Sequence, residues 1–166
     1  MDENTTPKAG RRRLEMLRDE VPKAVMEFYH RAGEACQKAN YAEAHKIARH
    51  GVALAISNKS ELGQLWCLHI LGNALFYLAK LDESKSAHLK VLSMCEKLGF
   101  PSGIASSLNN LGLIDQQEGK FHDAQKKFED SIRIYTELGS ERATVVEKHL
   151  CDLKNSEEIF QQNASG

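Results

Sequence analysis

The chain has 166 residues, 27% of them charged, and a formal net charge of -1. A chain of this length buries roughly 70% of its unfolded surface and needs no staple, and so balanced a charge excludes a general attraction to nucleic acid or to acidic membrane surfaces. Cys36, Cys67, Cys95 and Cys151 are widely spaced with no C-x-x-C pair, so they read as reduced thiols rather than a disulfide framework or a zinc site.

Residues 1–20 are expected to be a flexible or capping segment. Leu14, Leu17 and Val21 give an apolar edge to the stretch from about Lys8 to Glu20, and Arg11-Arg12-Arg13 is the one basic cluster, weak evidence for a nuclear or nucleic-acid signal. Pro22 suits the first turn of the helix that follows. With three prolines and many Ala, Leu, Glu, Lys and Gln, the composition favours helices over strands. Helices are expected at about 22–38, 41–57, 62–79, 82–97, 102–118 and 121–137, and a seventh runs on from Ser140. Residues 161–166 are expected to be a disordered tail. No apolar run approaches the roughly 20 residues needed to span a bilayer, and charges stand where a signal peptide is apolar. The expected compartment is cytoplasmic.

The chain resembles itself at a step of 40 residues. Ala32, Gly72 and Gly112 form one column; Tyr41, Leu81 and Phe121 a second; Ala44, Ser84 and Ala124 a third; Phe28, Leu68 and Leu108 a fourth; and Leu98-Gly99 recurs as Leu138-Gly139. Ile104, Leu108 and Leu111 trace an amphipathic stripe in which Gly112 sits. A glycine inside a helix costs about 1 kcal/mol against alanine, so its recurrence predicts another backbone passing too close for a Cβ, with Ala44, Ser84 and Ala124 the answering small residues. Tyr41, Leu81 and Phe121 follow short polar turns and wedge the corners. Phe121, Ala124, Phe128, Ile132 and Tyr135 then share one face. Each repeat is therefore a helical hairpin, and because a lone hairpin cannot bury its apolar face, successive hairpins are expected to stack as an α-solenoid. The repeat domain spans 21–160, with repeats at about 22–59, 60–99 and 100–139 and a cap at 140–160, where Asp152 falls in the glycine column.

Leu68-x-x-Leu71-Gly72-x-x-Leu75, Leu108-x-x-Leu111-Gly112 and Gly119-Lys120-Phe121-x-x-Ala124 with Phe128 resemble the tetratricopeptide repeat (TPR), over roughly residues 25–139. The resemblance implies an all-α, right-handed TPR superhelix of three helical hairpins plus a capping helix. The step of 40 exceeds the usual 34 or so, and Leu-Gly replaces the closing proline. Both features resemble the Pins/LGN scaffold proteins, and more loosely the kinesin light chains and bacterial Rap-type regulators; His88 stands where Pins-like repeats often carry histidine. Arg31, Ser84 and Asp115 depart from the pattern, and Asp115 is expected at an open edge near the cap or in a polar network with the seventh helix.

The resemblance implies that the first helix of each hairpin lines a concave groove that binds a peptide. Its candidate residues are Tyr29, Trp66, His69, Asn73, Phe76, Asn109, Leu113 and Gln116. Tyr29, Trp66 and Phe76 are candidate aromatic anchors, while Asn73, Asn109 and Gln116 offer paired amides to a peptide backbone. The plainer reading is that Trp66 and Phe76 pack between helices. Tyr29, Gly33, Ile70, Ser106 and Asn110 occupy positions resembling the clamp that holds acidic chaperone tails, and only Asn110 suits it, so no tight binding of such tails is expected. His45 and His50, five residues apart on a helix, diverge too far to share a metal. No nucleophile-and-base pair, phosphate loop or paired carboxylate is recognisable. The expected function is a non-enzymatic scaffold or adaptor, without cofactor or metal, that binds a protein or peptide partner as a monomer or weak homo-oligomer, with no nucleic acid or membrane. An alternative is a regulatory subunit or sensor responding to a peptide or small ligand; a more remote one is a fragment or accessory subunit of a larger assembly.

Overall fold

The computed structural model describes residues 20–164, so the reading of residues 1–20 as a cap falls outside the described residues, Glu20 apart. Among them are seven helices and no strand: α1 (Lys23–Gln37), α2 (Tyr41–Ser57), α3 (Glu61–Tyr77), α4 (Leu81–Leu98), α5 (Pro101–Gln117), α6 (Phe121–Glu137) and α7 (Arg142–Ala164). Every expected bound lies within two residues of the observed one except the last, because α7 runs on to Ala164 through the start of the expected tail.

The corners reveal a finer rule than the 40-residue step. Ala39, Lys59, Ala79, Gly99, Gly119 and Gly139 all have φ between 54° and 72°, in the left-handed region. Each is followed by a residue whose N–H donates to a carbonyl five positions earlier, from Asn40 to Ala35, Ser60 to Ala55, and so on to Ser140 and Tyr135. That bond closes the preceding helix and satisfies one of its orphan carbonyls. The backbone thus repeats every 20 residues, a helix and one left-handed turn, and two such units make the 40-residue hairpin. On the far side of the corner Asn40 and Ser60 cap α2 and α3 by accepting from the Glu43 and Gly63 N–H groups, both at 3.3 Å.

The described residues fall into two compact units that part at Phe100 and Pro101. In the first unit, α1 and α2 pack on α3 around Val21, Val25, Ala55, Leu62 and Cys67, and around Ala32, Ile47, Ala48 and Ile70. In the second, α5, α6 and α7 enclose Ala105, Phe128, Tyr135, Val146 and Leu153. There the Ser131 hydroxyl donates to the Ala105 carbonyl at 2.8 Å, holding α6 against α5.

The glycine column has a different cause from the expected one. A Cβ on Gly72 would lie 2.7 Å from Nε2 of His88, and one on Gly112 would lie 2.6 Å from the Phe128 ring. What fills each notch is an aromatic side chain sixteen residues further on, not a passing backbone. The first hairpin confirms the logic, since the ring position there is Ala48 and Ala32 keeps its Cβ, both fully buried. Ser84, one turn before His88, donates to the Gly72 carbonyl at 2.8 Å. Its hydroxyl therefore serves as a fastener where the column otherwise has alanine.

Asp115 does not lie at an open edge. It is 2% exposed, and its carboxylate pairs at 2.5 Å with Lys127 on α6, the other helix of its own hairpin. The half-buried lysine reaches inward along its methylenes and brings the charge that the carboxylate requires.

Candidate functional site

α3 carries one formally charged residue, Glu61, at its first position. The rest of the helix is apolar, small or neutral, and it is buried against α1, α2 and α4 on most sides. On what remains, Trp66, Asn73 and Tyr77 stand at i, i+7 and i+11, within about 40° of one another around the axis and spread over about 16 Å of helix. Trp66 and Asn73 are half-buried, whereas Tyr77 is 61% exposed.

Of the candidate groove residues in the first unit, the structure brings two together directly. Tyr29 on α1 and Trp66 on α3 meet with ring centroids 5.6 Å apart, and Tyr29 also touches His30 edge-on at 5.3 Å. Trp66 therefore packs in the α1–α3 seam while remaining half-buried. Phe76 packs edge-on against Tyr77 at 5.5 Å. His69 turns toward α4, where its ring meets His88 at 5.9 Å.

The candidates of the second unit are engaged differently. The Asn109 amide oxygen accepts from Nδ1 of His149 on α7 at 2.8 Å, and the Gln116 amide donates to the Ser156 hydroxyl at 3.4 Å. Both pairs are 40 residues apart, so each amide reaches the same place on the next first-type helix. Burial lowers the His149 pKa, opposed by Asp152 and reinforced by Lys148. Leu113 packs on the Phe128 cluster. The amides expected to receive a ligand here join α5 to α7.

The residue that the sequence ladders missed is Tyr77. It stacks on the corner residue Tyr41 with centroids 4.3 Å apart and planes 12° apart. Its spacing from Trp66 and Asn73 was the available signal. A related arrangement closes the second unit, where Phe121 meets the exposed Phe160 at 5.5 Å.

Residues 61–137 match the tetratricopeptide repeat family. Two solved structures share the fold. The apo form of RapI superposes with a TM-score of 0.74 at 15% identity, over 94% of this chain and 57% of that one. A Podosopora anserina putative kinesin light chain with nearly identical TPR-like repeats gives 0.70 at 17% identity, over 86% of this chain and 71% of that one. The chain thus spans little more than half the length of RapI. No curated protein matches it in sequence. Residues 61–137 thus carry tetratricopeptide repeats, and the chain is all-α throughout its described residues.

Proposed function

We propose that this chain is a non-enzymatic interaction module, an adaptor acting in the cytosol, and that the face shared by α1 and α3 holds a segment of a partner protein. Tetratricopeptide repeats generally serve protein interaction, and the four free thiols suit a reducing compartment. The observation that carries the reading is the uncharged stripe of Trp66, Asn73 and Tyr77 on an otherwise enclosed helix. The exposed Tyr77 ring and the half-buried Trp66 ring match an extended segment that contributes apolar side chains. A strand rises about 3.3 Å per residue, so the span from Trp66 to Tyr77 fits two apolar anchors about five residues apart.

The test uses peptides selected from a random library on the full chain and ranked by quenching of Trp66, the single tryptophan. The double variant N73A/Y77A is expected to lose at least about tenfold in affinity while its melting temperature stays within about 2 °C. Undiminished affinity in that variant removes the α3 stripe from the binding site.

A further inference from the structure

Two consecutive turns of α4 are seated on one residue of α3. Ser84 donates to the Gly72 carbonyl, and the His88 ring occupies the space where Gly72 lacks a Cβ. His88 is 1% exposed, and its Nδ1 has no hydrogen-bond partner. His69, one turn earlier on α3, meets the ring edge-on with centroids 5.9 Å apart. We propose that the His69–His88 pair at the Gly72 notch is an acid-sensitive latch, which clamps α4 to α3 while His88 is neutral and releases it when the ring takes a second proton.

The reason is one of donors and space. A neutral imidazole can bury one nitrogen quietly as a lone pair, whereas the imidazolium carries N–H on both, and the one on Nδ1 meets no acceptor. Solvation cannot reach a ring buried this deeply, and the ring cannot slide toward α3, because the notch is already filled. The titratable group that α3 turns toward it is His69, and a charge there adds repulsion. Burial first, and His69 second, accordingly push the His88 pKa down from 6.5 to about 3. The second unit holds the contrasting case, for the equivalent notch at Gly112 is filled by Phe128, which never titrates.

A folded-state pKa below the unfolded one means that the unfolded chain binds more protons, so stability is complete above about pH 6.5 and is lost as the pH falls toward 3. Between about pH 7.5 and about pH 5 the ratio of folded to unfolded α3–α4 hairpin should fall on the order of 30-fold. Urea unfolding of the full chain, followed by the fluorescence of Trp66 on α3, reads this hairpin. The variant H88F copies the ring that already fits a glycine notch in the second unit, and it should hold its ratio within about threefold over the same range. An equal loss in H88F overturns the latch. So does an NMR titration in which the His88 ring of the folded wild type protonates with a midpoint near 6.5, a measurement that needs no variant. A consequence for partner binding rests on the reading given above. The latch itself is measured without any partner, so each can fail alone.

Discussion

Asp115 and Lys127 stand at positions that the first hairpin fills with Ala35 and Ile47 and the second with Leu75 and Ala87. In the third hairpin an ion pair thus replaces an apolar pair, its carboxylate buried and its lysine half-buried. Breaking a buried pair strands one charge and costs several kcal/mol, while replacing both halves by well-packed apolar groups is often neutral. D115A is therefore expected to lose about 3 kcal/mol in thermal unfolding, and D115L/K127A, which imports the pair of the second hairpin, to stay within about 1 kcal/mol of wild type. Glycines divide in the same way. A Cβ on Gly33 would meet Ile70 Cδ1 at an ordinary 3.6 Å, so G33A gains helix propensity of up to about 1 kcal/mol. At Gly112 the Cβ would lie 2.6 Å from a fully buried Phe128, and overpacking of about 1–3 kcal/mol exceeds the propensity gain, so G112A should melt lower. The sequence marked Gly112 correctly as a place of close approach. Only the packed structure shows that a ring on the opposite helix makes it so.

Among the elements, the helices were legible because their apolar spacing and their corners agree, and each was placed within two residues except at the end of α7. The 20-residue backbone rule was not legible, since three of its six left-handed corners are Ala39, Lys59 and Ala79 rather than glycine. A non-glycine residue in that region is strained by about 1–2 kcal/mol, partly offset by the lower entropy of its unfolded chain. The triple variant A39G/K59G/A79G should raise the stability of the first unit by about 0.5 kcal/mol per site, seen as a higher urea midpoint in Trp66 fluorescence. A lower midpoint would mean that chain entropy outweighs the relieved strain. The last helix shows how a repeat array ends. Its positions Glu147, Asp152, Lys154 and Asn155 are exposed, where the corresponding Ser107, Gly112, Ile114 and Asp115 of α5 are buried.

For the whole molecule, the near-neutral composition and the uncharged stripe on α3 point the same way. Contacts made without charge are not screened, so affinity for a peptide selected on this face should change less than about twofold between low and high salt, measured by calorimetry. A steep salt dependence would place binding elsewhere. The sequence by itself determined the helices of the described residues, their pairing into hairpins and the resemblance to tetratricopeptide repeats, because these follow from local periodicity and from a repeat that can be read by superposing the chain on itself. The tertiary structure decided which candidate side chains remain available at the surface. Asn109 and Gln116 read in the sequence as open amides, but they bond to the next helix, while Tyr77, in none of the ladders, is the most open aromatic of the first unit. A side chain's partner depends on what lies across from it, and that neighbour stands 40 residues away in sequence, beyond the reach of any local pattern.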